Sequence, residues 1–220
     1  TETRAANALA QLRLRGGKRT LAFCVSVRHA DFMRDYLTAR GYRAATVHSG
    51  AESMPRGEAI DRLRLGKLDV VLSVDMFNEG VDIPSVDTVL MLRPTESRSL
   101  WLQQIGRGLR LSPGKDLLRI IDYVGNHRSF LGPLELLFSG HGDQVDILRK
   151  LAELRSNQGQ GELPAGCQVT YDLEAIEILE RLRRGTKSEV ELREWVHEVM
   201  SRSGRRPTAT EAFHAGHRPD

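Results

Sequence analysis

Gln103, Arg107 and Arg110 stand at i, i+4 and i+7, so a helix through Gln-Gln-Ile-Gly-Arg-Gly-Leu-Arg at 103–110 carries all three on one face. Two guanidiniums on that face form a permanently charged fork suited to phosphate oxygens. Gly106 and Gly108 each cost a helix roughly 1 kcal/mol relative to Ala. Such a cost fits a place where something approaches the backbone closely. The competing reading is a solvated basic helix face. Upstream, Ser-Val-Asp-Met-Phe-Asn-Glu-Gly-Val-Asp-Ile-Pro at 73–84 sets Asp75, Glu79 and Asp82 around Gly80. Carboxylates at the end of a strand can order a metal-bound water, a ribose hydroxyl or a neighbouring Arg. The plainer alternative is a solvated acidic turn with Asp75 as a helix N-cap.

These side chains need a scaffold that gathers strand ends. The pattern predicts a helix at 5–15 closed by Gly16-Gly17, then strands at 20–25, 43–47, 68–74, 88–92 and 117–124. Helices at 30–40, 56–65 and 97–109 alternate with them, the first two closed by Gly41 and Gly66. Strands joined by helical crossovers make an α/β fold, a parallel sheet with helices on both faces. In such sheets ligands collect outside the carboxyl ends of the strands. The polar residues to inspect are therefore those at 26–31, 48–50, 75–82, 93–98 and 125–128. Beyond about residue 140 the β signals fade into a helical extension, with helices at 145–154, 172–183 and 188–200. A polar, glycine-rich linker at 157–166 separates the first from the second. Thr208-Ala-Thr-Glu211 reads as a capping box.

With 220 residues, 40% hydrophobic and 28% charged, the chain has the composition of a soluble globular protein. A net charge of +3 gives no whole-molecule attraction to polyanions. Only five of the 32 basic residues are Lys. That bias suits bidentate phosphate contacts, or reflects nothing more than base composition. Cys24 and Cys167 have no Cys or His neighbours at ligand spacing, so no metal site is expected. Cys24, in an apolar run, reads as a buried core thiol. No signal peptide or membrane-length apolar run is visible, and a cytoplasmic location is expected. The start at Thr1, in a helix-like stretch, reads as a piece of something longer.

Asn-Glu-Gly-Val-Asp-Ile-Pro at 78–84 followed by Gln-Gln-Ile-Gly-Arg-Gly-Leu-Arg at 103–110 resembles motifs V and VI of superfamily 2 helicases. Thr-Leu-Ala-Phe-Cys-Val-Ser-Val-Arg-His-Ala-Asp at 20–31 resembles motif IV, and Val-His-Ser-Gly at 47–50 the strand-end motif that follows it. The resemblance covers residues 18–131 and is to the second, C-terminal RecA-like domain of DEAD/DEAH-type enzymes. Ile-Ile-Asp-Tyr-Val-Gly-Asn-His-Arg-Ser-Phe at 120–130 resembles a narrower bacterial branch, related to type I and type III restriction subunits.

This resemblance implies a division of the chain. Residues 1–18 would be an N-terminal helix and linker, 19–140 the RecA-like domain, and 141–220 the helical extension. It implies that Arg107 and Arg110, with Gln103 beside them, reach the γ-phosphate of ATP as arginine fingers. Glu79, Gly80, Asp82 and Gly106 would lie around the nucleotide. Ser26, Arg28, His48, Ser49, Gly50 and Ser73 would contact nucleic acid, DNA rather than RNA. ATP and Mg would be held mainly by an N-terminal RecA-like domain in the same polypeptide. Two positions depart from the family pattern. Val74 stands where Thr is frequent, and Ser53 replaces the Gln that would pair with Arg56.

No Gly-x-x-x-x-Gly-Lys-Ser/Thr loop exists to cradle phosphates, because Gly17-Lys18-Arg19 and Gly114-Lys115-Asp116 lack its other parts. The chain thus carries half an ATPase site and is expected to be inactive alone. Two other classes remain: a non-catalytic α/β module that binds nucleic acid, and a nuclease. The second lacks its usual carboxylate and lysine signatures.

Overall fold

The computed structural model describes residues 2–76, 83, 85–93, 102–103, 106, 112–113, 115–124, 130–138, 146–161, 163, 167–186, 188–208 and 211. The chain divides into two compact units, Thr1–Gly125 and Asn126–Asp220.

The first unit is built on five short strands, β1 (Thr20–Phe23), β2 (Ala44–Val47), β3 (Val70–Ser73), β4 (Thr88–Met91) and β5 (Arg119–Asp122). All pairings are parallel, in the order β2-β3-β1-β4-β5. Helix α1 (Glu2–Arg15) precedes the sheet, α2 (Val27–Thr38) joins β1 to β2, and α3 (Arg56–Arg64) joins β2 to β3. Right-handed crossovers explain the layering. The chain moves one way along the sheet from β1 to β2 and back from β2 to β3, so α2 and α3 fall on opposite faces.

Helix α2 starts where Ser26 caps it, its side chain accepting from the His29 amide at 3.2 Å. Ala30, Met33 and Leu37 then repeat at helical spacing and are buried. The helix ends at Gly41, whose φ of +91° only glycine adopts easily, with the Tyr42 amide returning to the Leu37 carbonyl at 3.1 Å. Alternation along the strands supplies the floor. Ala22, Cys24, Val70, Leu72 and Leu90 form one cluster with α2 and with Ala5, Ala8, Leu9 and Leu12 of α1. The helix at the start of the chain is therefore a core element of this unit. Burial pushes the Cys24 thiol up to about 12, as expected of a core cysteine.

At the opposite end of the sheet from the candidate site, Asp87 ties the entry of β1 to β4. Its carboxylate accepts from the amides of Lys18 (2.9 Å) and Arg19 (3.2 Å), while Thr88 Oγ1 accepts from the Gly17 amide at 2.7 Å. A β-carbon on Gly17 would lie 2.2 Å from Asp87 Oδ1, which explains why glycine stands there.

The second unit contains α4 (Leu131–Phe138), α5 (Ile147–Ser156), α6 (Leu173–Thr186) and α7 (Ser188–Ser203). Leu131, Leu134, Ile147, Leu151, Leu154, Ile176 and Leu179 are buried, and Arg155 of α5 pairs with Glu180 of α6 at 3.0 Å. Helix α4 has no counterpart in the sequence reading, since Gly132 and Pro133 look like breakers. Proline is tolerated in a first turn, where its missing N–H has no partner to lose.

The segment read as a linker at 157–166 differs too. Gln158 (φ +53°) and Gly159 (φ +84°) make a tight reversal into β6 (Gln160–Gly161), which pairs antiparallel with β7 (Val169–Thr170). A β-carbon at Gly159 would lie 1.9 Å from the Tyr171 carbonyl. The capping box is formed: Thr208 N–H and Oγ1 reach Glu211 Oε2 at 2.8 and 3.0 Å, and the Glu211 amide returns to Thr208 Oγ1 at 3.3 Å.

Candidate functional site at the carboxyl edge of the sheet

The parallel order brings the carboxyl ends of all five strands to one edge. Segments 24–31, 48–50, 74–76 and 92–93 therefore sit where a parallel sheet binds ligands. Glu79, Gly80, Asp82, Arg107 and Arg110 lie outside the described residues. Gln103 and Gly106 are helical, as the 97–109 reading requires at those positions; the rest of that helix, apart from Leu102, lies outside the described residues.

After β2 the chain turns around a buried imidazole. His48 is 4% exposed, and both ring nitrogens are engaged. Nδ1 accepts from the Gly50 amide at 2.9 Å, which places the proton on Nε2, 3.1 Å from Asp31 Oδ1. The His48 amide donates to Ser53 Oγ at 2.8 Å. Thr46 Oγ1 donates to Asp31 at 3.2 Å, and Arg34 Nη1 lies at the same distance. Burial pushes the Asp31 carboxyl up, but hydrogen bonds from His48 and Thr46, with the charge of Arg34, outweigh it and hold its pKa below the usual range. A β-carbon on Gly50 would sit 3.0 Å from the ring, so the loop closes on His48 tightly.

Two of the predicted strand contacts are therefore not at the surface. His48 is packed beneath its own loop. Ser73 is in register with Phe23 and Val47, so the pleat turns it inward beside them. It is 1% exposed, and Oγ has no hydrogen-bond partner among the described residues. By contrast Ser26, Arg28 and Ser49 are exposed and Gly50 is half-buried. Ser26 spends its hydroxyl on the helix cap, while Arg28 has no acidic partner among the described residues.

Across the end of β1, Asp75 (after β3) has φ +55° and pairs with Arg93 (after β4) at 2.5 Å. Residues 31, 75 and 93 all fall in strand-end segments legible in the sequence, which does not pair them. Nothing local links residue 31 to 48 or 75 to 93. The strand order alone makes them neighbours.

The family model for the helicase conserved C-terminal domain matches residues 4–112. This segment is a helicase C-terminal domain. Its sequence is 38% identical over 108 residues to the Saccharomyces cerevisiae protein IRC3, named as an ATP-dependent helicase, covering 49% of this chain and 16% of IRC3. The chain is 36% identical over 161 residues to UvrABC system protein B of Aromatoleum aromaticum, covering 70% of this chain and 22% of that protein. A third match, to UvrABC system protein B of Streptococcus uberis, is 27% identical and covers 88% of this chain and 28% of that one. The chain thus spans less than a third of the length of these relatives. The Escherichia coli DEAD-box protein SrmB superimposes with TM-score 0.51 at 23% identity, covering 63% of this chain and 80% of that chain. A Dbp5 variant of S. cerevisiae gives 0.52 at 19%, covering 70% and 42%. At these identities the likeness is one of fold, and the fold is RecA-like. No helix among the described residues is long and apolar enough to cross a membrane.

Proposed function

We propose that the chain is the second motor lobe of a nucleic-acid-dependent ATPase of superfamily 2. The observation that carries this is the convergence of four polar strand ends on one edge of a helicase-type parallel sheet, with the helical segment of Gln103 and Gly106 following β4. In this reading Arg107 and Arg110 reach from that helix to the phosphates of an ATP whose Mg and Walker loop belong to an N-terminal RecA-like domain. Guanidiniums aimed at the transferring phosphoryl group stabilise charge that builds only in the transition state. Gln103 orients the nucleotide from the same face, and Glu79, Gly80, Asp82 and Gly106 lie around it.

The nucleic-acid track runs over the ends of β1 and β2. Arg28, Ser49 and the first turn of α2 behind Ser26 meet backbone phosphates there, a contact independent of sequence and weakened by salt. His48 acts beneath, holding the Gly50 amide and so the shape of the loop. Ser73, being buried, is not assigned a direct contact. The strand is DNA in this reading, which rests on the restriction-subunit likeness of residues 120–130.

The test is ATP hydrolysis by the full-length polypeptide with single-stranded DNA present. Arg107→Ala and Arg110→Ala are each expected to lower turnover by about a thousandfold or more, while the 220-residue chain alone shows none. Unchanged turnover in both variants refutes the finger assignment. A non-catalytic nucleic-acid-binding module is the outcome if the full-length polypeptide binds DNA and never hydrolyses ATP.

A further inference from the structure

Three turns meet at the amino-terminal edge of the sheet, opposite the motor edge. They lead into β1, β2 and β3, which are adjacent in the sheet. Gly17, Lys18 and Arg19, then Gly41, Tyr42 and Arg43, then Gly66 and Asp69 line a shallow cavity of about 410 Å³. That volume is within the range that takes a small ligand. Glycines with φ of +91° and +67° at positions 41 and 66 leave open space where side chains would stand.

The charges in this cavity do not cancel. Asp69 is chelated by Arg43, through the Arg43 amide at 2.8 Å, Nε at 3.0 Å and Nη2. The carbonyls at the end of α2 already accept from the Gly41 and Tyr42 amides, and the end of α3 is closed by the Gly66 amide. Asp87 is occupied by the Lys18 and Arg19 amides. What remains is the Lys18 ammonium and the Arg19 guanidinium, neither with an acidic partner among the described residues. Arg19 Nε is buried with no acceptor among the described residues. With Nε shielded, the Arg19 Nη groups and the Lys18 ammonium are the donors that an anionic oxygen in the cavity would meet. Phosphate oxygens supply both the acceptor and the countercharge.

We propose that this cavity is a second phosphate-binding site, separate from the motor edge, taking the phosphate of a free nucleotide or of a nucleic-acid strand. The claim does not depend on the motor reading, since it involves none of that edge's residues.

Amide NMR spectra of the chain, titrated with sodium pyrophosphate at constant ionic strength, test it. Saturable shifts are expected at Lys18, Arg19, Tyr42 and Gly66, with at least a tenfold weaker midpoint in Lys18→Gln and Arg19→Gln. Lys18 is exposed, so its variant keeps the question open should Arg19→Gln fold poorly. Parallel titrations with AMP and with a thymidine decamer identify the source, the stronger one being the ligand class. Three results overturn the proposal. One is no saturable shift at these amides, and another is unchanged midpoints in a folded Lys18→Gln. The third is response to pyrophosphate with none to AMP or the decamer, which marks an adventitious ion only.

Discussion

Arg93 and Asp75 meet over the carboxyl end of β1: Nη1 of the arginine lies 2.5 Å from Oδ1 of the aspartate, although β4 and β3 are not neighbours in the sheet. The pair therefore spans the strand between them. Asp75 is held there at φ +55°, a conformation that Asp and Asn tolerate better than most residues. Its side chain is 64% exposed, so solvent screens most of the attraction. Arg93→Ala is expected to change stability by less than about 1 kcal/mol, a shift of a few degrees in a thermal melt. Coupling between strand ends is a different property. In the full-length polypeptide the same substitution is expected to lower DNA-stimulated ATP turnover several-fold while leaving basal turnover near wild type. Equal loss of both activities would reduce the pair to a surface ion pair.

The buried His48–Asp31 contact gives the first unit an acid-sensitive joint. Asp31 has its pKa depressed in the folded state, chiefly because the bonds from His48 and Thr46 overcome the effect of burial. A depressed carboxyl contributes stability above its unfolded value, about 3.9, and loses it as pH falls through the folded value. Asp31→Asn is expected to flatten the acid limb of a stability–pH curve below about pH 4. Asp69, depressed mainly by its bond from Arg43, leaves a residual slope. Asp31→Ala strands a buried imidazole N–H and is expected to cost about 1–3 kcal/mol in urea unfolding at neutral pH. A variant whose acid limb matches wild type would show that Asp31 does not carry the linkage.

How much of this was legible in the sequence follows from which forces are local. Strand and helix order came from periodicity, and two helix ends from Gly41 and Gly66, because apolar spacing and glycine stops are written within a few residues. The capping box at Thr208 and Glu211 was readable for the same reason. The Ser26 cap, which starts α2 at Val27 rather than at 30, was missed. The rest of what escaped was long-range. Asp31–His48, Asp75–Arg93 and the Asp87 clasp on Gly17–Arg19 depend on which strands lie side by side, and one-dimensional spacing does not encode that order. Residue type also misled locally. Ser73 and His48 look like polar strand-end residues, yet the pleat at Ser73 and the closed loop at His48 turn them inward. Gly159 looked like linker flexibility and is instead a position where no other residue fits against Tyr171.

The Gly17–Asp87 approach lends itself to a double-mutant cycle. Gly17→Ala drives a methyl into a carboxylate that already accepts from two amides and from the Thr88 hydroxyl. It is expected to cost roughly 1–3 kcal/mol by disturbing those bonds. In an Asp87→Ala background the three nearest atoms to that methyl are gone, and the substitution is expected to cost a fraction of that, so the two effects are strongly non-additive. Urea unfolding of the four proteins measures the coupling. Additive losses would mean that the alanine at position 17 acts through backbone conformation alone.

The Thr208–Glu211 cap makes a prediction about a single proton. Two charge-assisted bonds from Arg205, at 3.0 and 2.5 Å, join the Thr208 bonds on the Glu211 carboxylate. Arg205 first, then the Thr208 amide and hydroxyl, bring its pKa down to about 2. The depressed value means that the cap contributes at every pH above the unfolded carboxyl range and is lost only as pH falls through about 2. Side-chain carbon NMR of Glu211 is expected to show it ionised at pH 3.5, where an ordinary glutamate is mostly protonated. In Arg205→Ala its midpoint is expected to rise toward the normal range while remaining below it, because Thr208 still donates. A midpoint that ignores Arg205 would mean that the ion pair does not persist in solution and that the cap alone orients the carboxylate.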